Sequence, residues 1–152
     1  MRKVVILLLL IPTLMFAQPI VGEADSLTYE RDRVIYSGNV RITRGNALLT
    51  ANRVVIHLDE NKRARMVEAE GNARYREGNR RASANKMVYD LQNEVITLIG
   101  KARVEEGQNF VEADEIVYYR KEDRAVAVSK NSRVRTFYVE EKDEKNRPNR
   151  KP

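Results

Sequence analysis

The sequence has no cysteine and only one histidine, and these absences exclude several classes of protein. Without cysteine, neither disulfide bonds nor thiolate metal sites can stabilise the chain. The single histidine, His57, has no obvious set of metal ligands or catalytic partners around it, and we expect it on the surface. The sequence therefore predicts no catalytic residue, no metal site, no cofactor and no enzymatic activity.

Long apolar runs are also scarce, and the one present lies at the N-terminus. The basic pair Arg2-Lys3 precedes the largely apolar residues 4–16, and the small residue Ala17 follows. This order is typical of a secretory signal, so we predict a signal peptide over residues 1–17 that is cleaved on export. The run is shorter than the roughly 20 residues that span a bilayer. A retained anchor is the alternative, because Met15 is larger than the residue usual at that position.

The remaining 135 residues are enough for one domain, which we predict over residues 18–139. Loss of Arg2 and Lys3 lowers the net charge from +6 to +4, an excess that suits an anionic partner without identifying it. Residues 140–152 mix both charges with two prolines and almost nothing apolar. We predict that they form a disordered charged tail.

One pattern returns three times along the chain. Each unit opens with glycine, then Asn or Lys, then an alternating segment, as in Gly38-Asn39-Val40-Arg41-Ile42. A second glycine follows after seven residues, and alanine with Asn or Asp after six more. The units begin 33 and then 29 residues apart, at Gly38, Gly71 and Gly100. The four additional residues lie between Ala51 and Gly71, where they predict two extra residues in each strand of one hairpin.

Apolar and polar residues alternate inside each unit, which is typical of antiparallel strands with one buried face. A phase slip of one residue follows each Ala-Asn or Ala-Asp pair and predicts a bulge or corner in the strand. We therefore predict an all-β fold in which a sheet folds over as a sandwich or jelly roll, with Gly and Asn or Asp at the turns. The inward positions are Val40, Ile42, Leu49, Val54, Ile56, Tyr75, Met87, Tyr89, Ile96, Leu98, Val104, Ile116 and Tyr118.

Many other inward positions carry alanine, for which two interpretations remain open. Alanine allows two layers to approach closely, and it also leaves room for an apolar ligand such as an acyl chain. The outward arginines, such as Arg41, Arg74 and Arg103, likewise suit either phosphate binding or simple solubility, and we favour solubility. The carboxylates, such as Glu68, have no evident partner and are predicted to be solvated.

The repeated segment Gly38-Asn39-Val40-Arg41-Ile42-Thr43-Arg44-Gly45, followed by Ala51-Asn52-Arg53-Val54-Val55-Ile56, resembles the signature of the LptA family. These are periplasmic lipopolysaccharide-transport proteins of the organic-solvent-tolerance (OstA-like) type, and the resemblance extends over residues 24–139. It implies a twisted, open antiparallel β-jelly roll built from repeated strand pairs. Such a fold would shield the lipid A acyl chains of lipopolysaccharide on its inward residues, in the periplasm.

The resemblance also implies head-to-tail stacking of jelly rolls through their edge strands. Copies of the chain would form a homo-oligomer and would join an LptC-like inner-membrane protein to an LptD-like outer-membrane protein. Open sheets leave backbone groups unpaired at their edges, so such pairing is physically reasonable. The expected stacking residues are Leu27, Tyr29, Val134, Thr136 and Tyr138.

Two alternatives remain open from the sequence. One is an LptC-like subunit of the same fold with a retained N-terminal membrane helix. The other is an exported module that binds acidic polysaccharide or nucleic acid through its basic outer face. Nucleic acid is disfavoured, because aromatic residues, on which bases would stack, make up only 7% of the chain.

Overall fold

The computed structural model describes residues 19–140. The predicted signal peptide and the predicted tail beyond Glu140 lie outside this range and stay predictions. The described chain forms a ten-stranded, open antiparallel sheet, which confirms the predicted all-β class. Within the same range, no helix has the length and apolar character needed to cross a membrane. The strands are β1 (Ile20–Glu23), β2 (Ser26–Glu30), β3 (Arg33–Arg44), β4 (Ala47–Leu58), β5 (Ala64–Glu77), β6 (Arg80–Asp90), β7 (Val95–Glu106), β8 (Asn109–Tyr119), β9 (Arg124–Val128) and β10 (Arg135–Phe137).

The six long strands, β3 to β8, pair in chain order, and each edge of the sheet is made of two short strands. Strands β1 and β2 both pair with β3, along its two halves. Strands β9 and β10 pair in the same way with the two halves of β8. The sheet is therefore eight strand positions wide, and both of its outermost positions are interrupted.

The sheet folds over at a corner in the middle of each long strand. The register between β3 and β4 shifts between Ser37 and Val40, and equivalent shifts occur between the later pairs. These bulges confirm the break predicted from the phase slip. They divide the sheet into layer one, which holds β1 and β10, and layer two, which holds β2 and β9. The layers face each other, since a side chain on Gly22 of layer one would meet the ring of Tyr36 in layer two at 2.8 Å.

The glycines that open the repeat units lie at these corners, so our assignment of them to turns was wrong. Gly38, Gly71 and Gly100 have φ of +84° to +85°, and the next residue is also left-handed. Each glycine packs against an Asp or Asn side chain from earlier in the chain, which is Asp25 for Gly38 and Asn52 for Gly71. Glycine is required because a Cβ would occupy the space of that side chain. The second set of glycines, Gly45, Gly78 and Gly107, forms the hairpin turns of layer one instead.

The four additional residues of the first full hairpin are distributed differently from our prediction. After the corner, β4 continues to Leu58 and β5 begins at Ala64, whereas β6 ends at Asp90 and β7 begins at Val95. The first strand thus gains one residue, the turn one, and the second strand two. A register irregularity between His57 and Leu58 absorbs the uneven lengths, so the inward residues keep their face.

The core is a single apolar cluster between the two layers. Its most buried members, such as Val54 and Ala73 at 0% exposure, lie close to the corners. Six buried alanines also lie at the corners. Five are within three residues of a corner glycine or precede the Asn that packs against it, and Ala113 is the register partner of one of these, Ala102. At these positions alanine allows the layers to approach closely, which supports the first of the two interpretations. The six are Ala51, Ala69, Ala73, Ala84, Ala102 and Ala113.

Replacement of a corner glycine is expected to destabilise the protein far more than replacement of a turn glycine. In Gly71→Ala the new Cβ would lie 2.5 Å from Nδ2 of Asn52, in addition to the cost of positive φ. We expect a loss of about 2–4 kcal/mol in the free energy of unfolding, measured by urea denaturation. Gly78→Ala is the matched control, because φ is +62° there and nothing lies within 4 Å; it should cost about 1 kcal/mol. Equal losses in the two variants would contradict the role of the corner.

Candidate functional site

The inner surface between the layers grades from closed to open. Eleven of the thirteen predicted inward residues belong to the core or pack against it. Those near the corners, including Val40 and Leu98, are buried, whereas those nearer the hairpin ends are half-buried. We call the open side opposite the corners the mouth; it lies between the hairpins at 77–80 and 91–94 and their neighbours. The half-buried inward residues are Ile42, Leu49, Ile56, Tyr75, Ile96 and Val104, and the other buried ones are Val54, Met87 and Ile116.

Tyr89 and Tyr118, the other two predicted inward residues, are half-buried toward the mouth and outside the core cluster. The hydroxyl of Tyr89 accepts a hydrogen bond from Nη1 of Arg120 at 2.6 Å. That of Tyr118 donates to Oδ1 of Asp123 at 3.0 Å, which raises the pKa of Tyr118. These rings present apolar faces inward and polar tips outward, as interfacial tyrosines do.

Tyr75 has the same arrangement in layer one. Burial, together with a hydrogen bond from its hydroxyl to Oε1 of Glu77 at 2.6 Å, raises the pKa of Tyr75 to about 12. Its phenol therefore stays protonated at physiological pH. The mouth is consequently amphipathic, with an apolar interior and a rim of hydroxyl, guanidinium and carboxylate groups.

Both edges of the sheet expose large apolar side chains. Leu27 and Tyr29 on β2 are 59% and 63% exposed, and Tyr138 beyond β10 is 72% exposed. Thr136 lies in β10 opposite the inward Val111. Leu27 and Tyr29 lie opposite the inward Tyr36 and Val34, so the apolar lining continues to the open end of the sandwich. Val134 is exposed as well, in agreement with its expected place at an edge. Further exposed edge residues that the sequence pattern did not predict are Ile20, Val21, Val128, Phe137 and Val139.

The C-terminal edge is held by Asp114, the last of the repeated Ala-Asn and Ala-Asp partners. Its carboxylate accepts hydrogen bonds from the amides of Lys130 and Asn131 and from the hydroxyl of Ser132. Its own amide donates to the Ser129 hydroxyl at 3.0 Å. The hydrogen bonds from Lys130, Ser132 and Asn131 lower the pKa of Asp114. Asp114 thus fixes the link between β9 and β10 where the earlier units use a glycine.

The outer faces of the two layers differ chemically, a difference that was not among the predictions from the sequence. Layer one is mostly polar, with a cross-strand row that includes Arg41, Arg74 and Arg103, although Phe110 and Phe137 stack on this face. Layer two carries an apolar stripe across neighbouring strands, which is buried at Val55 and half-buried at its other apolar members. The sequence indicates this stripe through runs of three apolar residues, such as Val54-Val55-Ile56. The middle residue of such a run points outward when its two neighbours point inward. The stripe consists of Ile35, Val55, Val88, Val117 and Val126, with Glu68 and Thr97 among them.

Glu68 is not an unpartnered, solvated carboxylate, so that prediction was wrong. Nε2 of His57 lies 2.9 Å and Nζ of Lys86 lies 3.3 Å from its carboxylate oxygens. Burial alone would raise the pKa of Glu68, but the hydrogen bonds from His57 and Lys86 outweigh it and lower the pKa. His57 is on the outer face as predicted, although its side chain is only 21% exposed. The three residues join three neighbouring strands, which is a structural role.

The sequence pattern of one protein family, described as "LptA/(LptD N-terminal domain) LPS transport protein", matches residues 19–124. The chain belongs to this family. The match confirms the resemblance noted in the sequence, and it makes the chain a lipopolysaccharide-transport protein of the LptA family, whose members are not enzymes.

Relatives within the LptA family share moderate identity with this chain. Lipopolysaccharide export system protein LptA of Haemophilus influenzae is 32% identical over 133 residues, which are 79% of this chain and 75% of that protein. LptA of Escherichia coli K12 is 29% identical over 136 residues, covering 80% and 71%. The LPS-assembly protein LptD of Vibrio cholerae is 34% identical over 88 residues, which are 57% of this chain and 11% of LptD.

A solved structure of the same architecture supports the fold. It is the crystal structure of LptH from Pseudomonas aeruginosa, described as the LptA-homologous periplasmic component of the lipopolysaccharide transport device. The TM-score is 0.70 at 24% identity, and the alignment covers 81% of this chain and 96% of LptH. It supports the open OstA-like jelly roll for this LptA-family chain.

Removal of the Asp114 carboxylate is expected to loosen the C-terminal edge. In Asp114→Ala the amides of Lys130 and Asn131 lose their acceptor, so they should exchange with solvent several-fold faster, and Tm at pH 7 should fall. Because the folded-state pKa of Asp114 is lowered, its stabilisation is present above the unfolded pKa of about 4 and is lost as pH falls through the folded value.

The difference in Tm between the wild type and Asp114→Ala should therefore shrink below about pH 4. Asp32→Ala is the control, since its carboxylate accepts no hydrogen bond from any residue in the range 19–140. A constant difference in Tm between pH 7 and pH 2 would contradict the proposed role of the ionised carboxylate.

Proposed function

We infer that this chain works in the periplasm as a link in a lipopolysaccharide bridge, with the acyl chains of the lipid held against its inner face. Family membership establishes lipopolysaccharide transport, and the continuous apolar lining between the layers supports the inner face as the binding surface. The acyl chains would enter through the mouth, where half-buried residues such as Ile42, Val104 and Tyr75 border solvent.

The energetics of acyl chains explain why a protein surface is needed. Each methylene exposed to water costs about 0.8 kcal/mol, so a chain of twelve carbons costs about 9 kcal/mol. A continuous apolar surface offsets most of this cost without any chemical reaction. Movement in one direction requires energy from elsewhere, because the sequence contains no nucleotide-binding motif.

End-to-end pairing is the second part of the proposal, and the exposed apolar residues at the edges carry it. Nine of the ten large apolar residues that are exposed within residues 19–140 lie on or beside the edge strands β1, β2, β9 and β10. Such clusters mark interaction surfaces, and both edges also present backbone groups suited to strand addition. Pairing of the β9/β10 edge of one copy with the β1/β2 edge of the next would join their inner linings.

The same edges would serve an LptC-like protein at the inner membrane and an LptD-like protein at the outer membrane. Similarity to the LptD of Vibrio cholerae over 57% of this chain supports a related jelly roll as the partner at one end. A retained anchor in place of a cleaved signal concerns residues outside 19–140. N-terminal sequencing of the exported protein distinguishes the two, because an uncut Met1 would favour the anchored subunit.

Contact of lipid with the inner face is tested by photocrosslinking from neighbouring positions that point in opposite directions. A photoreactive residue at Ile42, which is inward, should form adducts with lipopolysaccharide in cells, whereas one at Arg41, which is outward, should not. A charged residue at Ile56 or Tyr89, as in Ile56→Asp, should reduce the adducts from Ile42 at least fivefold, because acyl chains avoid a buried charge. Equal crosslinking from Arg41 and Ile42 would contradict the proposal.

Edge pairing is tested by placing charge on the exposed residues of β2. The double variant Leu27→Asp/Tyr29→Asp should raise the dissociation constant for self-association at least tenfold in analytical ultracentrifugation, a change of about 1.4 kcal/mol. Its Tm should change little, because both side chains are more than half exposed. Ile99→Asp is the control, since Ile99 is 40% exposed but lies away from both edges. Unchanged self-association of the double variant would rule out this edge.

A further inference from the structure

The outer face of layer one contains a depression of about 330 Å³ that is rich in arginine. Strands β4 to β7 contribute to it, and it lies on the side of the sheet opposite the inner lining. Its floor includes two small hydroxyl residues that leave space between the longer side chains. Its basic and hydroxyl lining residues are Arg74, Arg76, Arg81 and Arg103, with Thr50 and Ser83.

Two of these arginines oppose each other directly across neighbouring strands. Arg76 on β5 is the register partner of Arg81 on β6, and like charges in that position repel. Neither forms an ion pair with any residue in the range 19–140. Arg74, two residues before Arg76 on β5, donates to Oδ1 of Asn72 at 3.3 Å and has no carboxylate partner in that range either. Three positive charges are thus concentrated on one face without internal compensation.

The nearest carboxylates are already engaged. Glu105 lies opposite Arg81 in the register, yet its Oε2 accepts from Nε of Arg103 at 2.6 Å. Glu112 also bonds to Arg103. Oε1 of Glu112 lies 3.8 Å from Nε of Arg135 as well. Arg103 and Arg135 together therefore balance the two carboxylates, which leaves Arg74, Arg76 and Arg81 without an acidic partner.

Solubility alone does not explain this arrangement. On the outer face of layer two the equivalent basic residues are paired, since Arg53 lies 3.4 Å from Glu70 and Lys86 lies 3.3 Å from Glu68. A surface that needed charged residues only for solubility could place a basic residue beside an acidic one in the same way. The like-charge pair in layer one is instead stabilised when an external anion lies between the two guanidinium groups.

We propose that Arg74, Arg76 and Arg81 form a binding site for phosphate groups on the outer face of layer one, separate from the inner lipid-binding face. One guanidinium group can donate two parallel hydrogen bonds to the oxygens of a phosphate, and the hydroxyls of Thr50 and Ser83 can donate further hydrogen bonds. The phosphate can belong to a lipid headgroup at a membrane surface or to a soluble molecule. The site does not depend on the proposed acyl-chain surface, so the failure of one leaves the other standing.

The test measures binding of the full chain to vesicles and to inorganic pyrophosphate. Vesicles of phosphatidylcholine with phosphatidylglycerol should bind the chain, and vesicles of phosphatidylcholine alone should bind it much less. The double variant Arg76→Ser/Arg81→Ser should weaken binding to the anionic vesicles by about thirtyfold, since each arginine near such a surface is worth about a factor of five. The control Arg31→Ser/Arg65→Ser removes the same charge at the hairpin ends of layer two and should change binding less than threefold.

Pyrophosphate distinguishes the two sources of phosphate. Displacement of the chain from anionic vesicles by millimolar pyrophosphate, with direct binding in calorimetry that the Arg76/Arg81 variant loses, supports recognition of the phosphate group itself. Vesicle binding that depends on these arginines but resists pyrophosphate assigns the site to a headgroup surface. Equal weakening in both double variants, or no binding to either probe, overturns the proposal.

Discussion

The fold depends on the contact between each corner glycine and an Asp or Asn side chain from earlier in the chain. At Gly71, φ of +84° turns the strand while Asn52 fills the space that a Cβ would need. The same contact recurs between Asp25 and Gly38 and between Asn85 and Gly100, so all the long strands bend along one line. A flat sheet would leave both faces in water. The aligned corners fold it into two layers and create an inner face.

Each functional feature follows from that folding. The inner lining is closed near the corners, where alanines such as Ala73 bring the layers together, and open at the mouth, where tyrosines border solvent. Because the sheet is not closed, its first and last strand positions have a partner strand on one side only, and the inward residues Leu27 and Tyr29 of the first position are exposed. The surface for a lipid and the surface for a neighbouring jelly roll are therefore parts of one lining.

Much of this was predictable from the sequence, because alternation and repeats depend on local chain geometry. The inward parity of Val54 and Leu98 and the bulge after Ala51 were confirmed. The positions of the glycines were not distinguishable, since Gly38 at a corner and Gly45 at a turn both need positive φ. The partners of Glu68 depend on the register of three strands, which no local pattern determines. The apolar outer stripe was visible at Val55, but strict alternation concealed it.

The central claim is that lipid binds between the layers, which pack closely near the corners and must therefore separate at the mouth. The chain has no cysteine, so Asn79→Cys and Gln92→Cys can carry spin labels on hairpins of opposite layers. The decisive measurement is the label distance by pulsed electron paramagnetic resonance, with Glu60→Cys/Gln92→Cys in layer two as the control. Added lipopolysaccharide should lengthen the first distance and leave the second unchanged. An unchanged distance between Asn79 and Gln92 with lipid bound would contradict binding between the layers.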